Sequence, residues 1–196
     1  MSEHTTTSGD DAIRYAYKAS LIGAAQQFEL TGQGLSWRFA GRTGLWPYAD
    51  IAAIRLSYRP VSMQARRFRA DITHRNGRRL SIISVSWQTA SLMAPQSEAY
   101  RAFIVGLHAR LAASGSTARL TAGLGRFTYG AALAAIALFA VAMLGLLLRA
   151  LVIGEWWGAL FLIGFAALFA WYVGGFITRN QPRRYAFTDL PAALLP

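Results

Sequence analysis

Two uncharged apolar runs constrain this chain more than any other feature. Tyr129 to Leu148 and Trp156 to Ile177 contain no Asp, Glu, Lys or Arg and are dense in Ala, Leu, Ile, Val and Phe. Each run holds about 20 residues, which at about 1.5 Å of rise per residue makes a helix of about 30 Å, the thickness of a hydrocarbon core. A helix on the surface of a soluble domain shows a polar stripe, and neither run has one. The sequence therefore predicts a transmembrane hairpin over 127–177, with spans at about 127–148 and 156–177.

What lies outside the spans is about 120 residues, enough for one small domain with its own core. The chain carries a formal net charge of +11, most of it before the first span. For a chain held in a bilayer the nearest anionic partner is the lipid headgroup layer, so the expected partners are the bilayer, anionic headgroups attracted by charge, and a membrane or cytoplasmic protein. Nucleic acid is not expected. Lys18 is the only lysine among the 20 basic residues, and with abundant Ala this suggests a GC-rich bacterial genome. The absence of Cys excludes disulfides and thiolate metal sites.

Orientation follows from the flanking charges. Arg110, Arg119 and Arg126 precede the first span and Arg179, Arg183 and Arg184 follow the second, while the connection Arg149 to Glu155 has one Arg and one Glu. The positive-inside rule then puts both termini in the cytoplasm, with Trp156 and Trp157 at the outer interface and Trp171 and Tyr172 near the inner one. The polar start, with no apolar core of signal-peptide type, fits a domain that is not exported. The expected location is a bacterial inner membrane.

Residues 1–11 read as a disordered lead, rich in Ser, Thr, Gly and Asp. From Ala12 a period of two begins: Ile13, Tyr15 and Tyr17 alternate with Arg14, Ala16 and Lys18. Further strands are expected at Gln27 to Leu30, Leu35 to Ala40, Ile51 to Tyr58, Arg67 to Thr73 and Arg79 to Trp87, with turns at 31–34, at 41–44 and at Asn76-Gly77. A change of face between Ile82 and Ile83 predicts a bulge or burial on both sides. After Pro95 the spacing becomes helical, with Tyr100, Phe103, Ile104, Leu107 and Leu111 on one stripe and Arg101, His108 and Arg110 assigned to the opposite face.

About seven short antiparallel strands closed by one amphipathic helix, over residues 12–113, resemble the bacterial pleckstrin-homology-like domains. The residues that carry the likeness are Phe28-Glu29-Leu30 with Gly34-Leu35, Trp46-Pro47-Tyr48-Ala49-Asp50-Ile51, Phe68 to Ile72 with Asn76-Gly77, and the helix from Ser97. The resemblance implies an α+β fold, an antiparallel barrel or sandwich capped by its C-terminal helix, here followed by the two-helix hairpin. Residues 114–126 read as a flexible linker and 178–196 as a cytoplasmic tail.

The strongest binding candidate is the basic surface of Arg66, Arg67, Arg69, Arg75, Arg78 and Arg79, whose planar guanidinium forks suit headgroup phosphates. Ala166, Ala170 and Gly174, four residues apart, are candidates for close helix–helix packing within the hairpin or in a homo-oligomer. His4, His74 and His108 are too scattered for a metal site, and no nucleophile motif or carboxylate pair stands out, so no catalytic residue, metal or cofactor is assigned. The expected role is a membrane-anchored, non-enzymatic binding module or scaffold. Its rival is a small membrane subunit, a pore or an auxiliary part of a transport complex, in which the helices carry the function.

Overall fold

The computed structural model describes residues 12–18, 24–59, 67–87 and 93–196. The lead 1–11 and Arg66 lie outside them. The chain divides into two compact units: residues 1–121 together with 184–196, and residues 122–183. The first unit is therefore discontinuous in sequence, and the second is an insertion within it.

In the first unit β1 (Ile13–Tyr17), β2 (Gln26–Leu30), β3 (Gly34–Phe39) and β4 (Arg42–Pro47) form a four-stranded antiparallel meander. Strand β4 is a correction, because residues 41–44 were expected to be a turn. The turn is tighter: Phe39 pairs with Arg42, and only Ala40 (φ 48°) and Gly41 (φ 74°) connect the strands. Positive φ at both positions is the two-residue geometry that matches strand twist. Gly44 is a packing position instead, since a Cβ there would meet the Trp37 ring.

Strands β5 (Ile51–Tyr58), β6 (Phe68–His74) and β7 (Arg79–Ile83) form a second meander, joined through Arg75-Asn76-Gly77-Arg78. The chain breaks step at buried Ser84, whose Oγ accepts from the Phe68 N–H at 2.9 Å while its own N–H bonds the Phe68 carbonyl at 3.0 Å. It resumes as β8 (Val85–Trp87), paired with β9 (Met93–Pro95). Ile82 and Ile83 themselves keep a regular register against Ala70 and Arg69, so no bulge lies between them and the break falls after them.

Helix α1 (Ser97–Ala113) packs mainly on β1. Its stripe of Tyr100, Phe103, Ile104, Leu107 and Leu111 is fully buried, with Phe103 5.7 Å from the Tyr15 ring and 6.4 Å from Phe28. Fully burying a large apolar side chain contributes about 1.5–3 kcal/mol, so this stripe is a main source of the unit's stability. Gln96 occupies the N-cap, without a side-chain capping bond.

After α1 the chain does not run straight into the hairpin through a linker. Arg119–Ala122 form β10, which lies between β5 and the short β11 (Arg183–Arg184) in a sheet ordered β11-β10-β5-β6-β7. Leu120 is buried. The segment expected to be a free tail also folds: Pro191, Leu194 and Leu195 are buried, and the Tyr185 N–H reaches the Leu120 carbonyl at 3.4 Å.

The second unit consists of α2 (Arg126–Val152) and α3 (Trp156–Arg179), both longer than the expected spans. Each is long and apolar enough to cross a membrane, with mean hydropathy 2.7 and 2.1. Leu138 is 73% exposed and Trp171 82%, and of both helices' residues only Ala159 is buried. So much exposed apolar surface is stable against lipid and unstable against water.

Candidate functional site

The β6–β7 hairpin sorts the candidate arginines into two kinds. Arg69 lies in the strand pair beside Asp71 and Ser81. Its Nε donates to Asp71 Oδ1 at 2.7 Å and its Nη2 to Ser81 Oγ at 2.8 Å, while Ser81 Oγ–H donates to the same carboxylate oxygen at 2.6 Å. Arg69 is thus committed to an internal network. Arg67 is half-buried with its Nε lacking a partner among the described residues, and burial, then Arg69 and Arg59, lower its pKa.

Arg75, Arg78 and Arg79 are different, being exposed at and beside the turn. The turn is fixed from three directions. The Arg75 N–H donates to the Asp50 carbonyl at 2.9 Å, the Arg78 N–H to Asn76 Oδ1 at 3.0 Å, and the Asn76 N–H to His74 Nδ1 at 3.2 Å. The His74 ring lies 4.9 Å from Trp46, which meets Trp37 edge-on, and the Arg78 guanidinium sits 5.6 Å above Trp37. His74 is therefore a turn brace rather than a ligand. The basic tip projects three cations, and the Trp37 ring limits the rotameric freedom of one of them, Arg78.

The far edge of β7 is closed by tyrosines of β1. Tyr15 Oη donates to the Ile83 carbonyl at 2.6 Å, and Tyr17 Oη to the Ser81 carbonyl. Burial raises both phenol pKa values, so the hydroxyls stay protonated donors throughout the ordinary pH range. Edge carbonyls otherwise open to another strand are satisfied within the domain.

The helix face assigned to solvent holds the main surprise. His108 is 1% exposed, with Nδ1 2.7 Å from the Ile104 carbonyl and Nε2 2.9 Å from Tyr185 Oη. A carbonyl only accepts, so Nδ1 carries the proton; Nε2 then accepts from the Tyr185 hydroxyl. Phe187 packs edge-on against the same ring at 6.3 Å. His108 shares the 104-108-111 row with Ile104 and Leu111, the available sign of burial on that side, and Tyr185-Ala186-Phe187 is the partner that covers it.

In the second unit the contact between α2 and α3 runs through Phe139, 4.5 Å from Phe169 and 6.4 Å from Phe165. Ala166, Ala170 and Gly174 line an apolar groove of about 550 Å³ between the helices, with Ala140 and Met143 opposite. Ala166 and Ala170 are exposed in it. Within the hairpin, aromatic rings bridge the two helices. At the base, Gly123 (φ 82°) lies so close to the strand leaving the hairpin that a Cβ would collide with the carbonyls of Asn180 and Gln181, and the Leu124 N–H donates to Asn180 O at 3.0 Å.

Two of the described acids pair with arginines, Glu29 with Arg14 at 2.9 Å and Asp71 with Arg69. Among the described residues no three of His, Asp and Glu converge as a metal site would require. Compared with family models, with curated proteins and with solved structures, the chain has no match.

Proposed function

We propose that this chain is a non-enzymatic binding module of pleckstrin-homology-like fold, held by its helical hairpin in a bacterial inner membrane with both termini in the cytoplasm. The order of a four-stranded meander, a three-stranded meander and a closing helix supports the fold reading. The exposed apolar surface of α2 and α3 supports the membrane reading. The observation that carries the binding role is the braced tip of Arg75, Arg78 and Arg79, exposed on a domain that the hairpin already keeps beside a bilayer.

An Arg near an anionic leaflet contributes about 1 kcal/mol, far less than a hairpin inserted in lipid. The tip therefore orients the domain on the headgroups rather than recruiting it, and leaves its other faces to a protein partner. The test reconstitutes the full chain in nanodiscs and measures the distance from a label on Asn76→Cys to the headgroup plane. With anionic lipid the native tip lies against the headgroups; with Arg75, Arg78 and Arg79 all changed to Ser it moves away. A tip equally distant in anionic and neutral bilayers contradicts the proposal.

The groove between α2 and α3 favours a second reading, a small membrane subunit whose helices associate with another copy or with a transport complex. Partners captured from membranes separate the two: under the first reading they are lost when the domain is removed, under the second they remain.

A further inference from the structure

We propose that residues 184–196 are a releasable latch on the first unit, closed through the His108–Tyr185 contact and opened by protonation of His108. The device does not depend on what the arginine tip binds.

The geometry leaves the buried ring one comfortable state. Nδ1–H is used by the Ile104 carbonyl and Nε2 by the Tyr185 hydroxyl hydrogen, so the neutral ring is satisfied at both nitrogens. A proton on Nε2 makes it a donor, and the Tyr185 hydroxyl must turn to accept, leaving its own hydrogen without that acceptor. Burial holds Tyr185 in its protonated form, so the phenol cannot relieve the conflict by ionising.

Among the described residues no carboxylate offsets the new charge. The charged and titratable groups on α1 are Glu98, Tyr100, Arg101 and Arg110; β10 brings Arg119, the strands beneath the helix bring Arg14, Tyr15, Tyr17 and Glu29, and the latch brings Arg184 and Asp189. Of the carboxylates among these, Glu29 pairs with Arg14, and Glu98 and Asp189 are both exposed. Desolvation accordingly lowers the His108 pKa below its ordinary 6.5, the Ile104 bond opposing this more weakly.

The sign follows from proton counts. Below pH 6.5 the released imidazole binds a proton that the docked one resists, so docking weakens as pH falls and is undisturbed above about pH 7.5. Opposing release are the buried Leu194 and Leu195 and the Arg101 Nη1–H bond to the Pro196 carbonyl at 3.2 Å. Release frees the chain after α3 from the domain and uncovers the His108 side of α1.

The chain has no Cys, so a single Ala192→Cys in the full chain takes one spin label. In nanodiscs the mobile fraction of that label is expected to rise by up to about tenfold per pH unit below pH 6.5 until about half of it is mobile. A label on Asn76→Cys, in the β6–β7 turn, is expected to stay unchanged. In the His108→Gln chain the Ala192 label is expected to lose its pH dependence. Joint mobilisation at both positions, a docked segment down to pH 4.5, or the same pH profile in His108→Gln overturns the latch. A second readout covers a His108→Gln chain that does not fold: in the native chain the His108 ring must titrate at the pH where the Ala192 label mobilises. A ring that titrates near 6.5 with the label still immobile overturns it equally.

Discussion

His108 on α1 and Tyr185 beyond the hairpin, 77 positions apart in sequence, meet at 2.9 Å between Nε2 and Oη. Their contact joins the stretch of chain before the hairpin to the stretch after it. The folded unit is consequently 12–121 with 184–196, and the hairpin is an insertion in it.

Excising the insertion tests that organisation. A chain in which a short Gly/Ser linker replaces residues 123–181 is expected to be soluble and to unfold cooperatively. Residues 12–113 alone lack Leu120, Tyr185, Leu194 and Leu195, and at about 1.5–3 kcal/mol per fully buried large apolar side chain they should be less stable by several kcal/mol. Urea denaturation of the two chains gives the comparison; equal stability would mean that the C-terminal segment does not pack on the domain.

The arginines should separate by role. Asp71→Ala removes the acceptor that both Arg69 and Ser81 use and is expected to cost about 1–2 kcal/mol, discounted for the partial exposure of the pair. Changing Arg75, Arg78 and Arg79 together to Ser should move stability by only about 0.5 kcal/mol per site or less. The same triple change should weaken binding of the hairpin-excised domain to anionic vesicles of any headgroup, most visibly at low salt. Thermal melts and vesicle co-sedimentation read the two effects.

Tyr100 offers a test in the opposite direction. Its hydroxyl is buried without a hydrogen-bond partner among the described residues, and burial raises its pKa. Tyr100→Phe keeps the ring contact with Tyr15 and removes the unsatisfied group, so the variant should match or exceed the parent by about 1 kcal/mol.

At the base of the hairpin, Gly123→Ala combines an unfavourable φ with collisions against two carbonyls and should destabilise by more than about 1 kcal/mol. Gly130→Ala, which meets open space, serves as its control and should be near neutral. Melting in detergent distinguishes them.

Local patterns in the sequence carried much of this architecture. Period-two alternation located β1, β2, β3, β5 and β6, and helical spacing identified each residue of the buried α1 stripe, because one-sided burial writes itself into consecutive residues. Strand β4 was hidden by Gly41 and Gly44, which read as one turn, although Gly44 lies within the strand as a packing gap under Trp37. Strand β10 and residues 184–196 were hidden for another reason: they are too short to show a period, and their burial depends on a partner far away in sequence. The same non-locality concealed His108, whose solvent is replaced by Tyr185 and Phe187. Of the arginine surface, composition revealed the charge but not its division, since the Asp71–Ser81 network depends on cross-strand register.

Topology tests the central claim most directly. If α2 and α3 cross the bilayer, residues 12–121 and 184–196 must lie on the same side, and the proposed orientation makes that side the cytoplasm. A reporter active only in the cytoplasm, fused after Pro196, is predicted to be active, and one placed between Gly154 and Glu155 to be silent. A silent fusion after Pro196, or an active one at Gly154, would contradict the account.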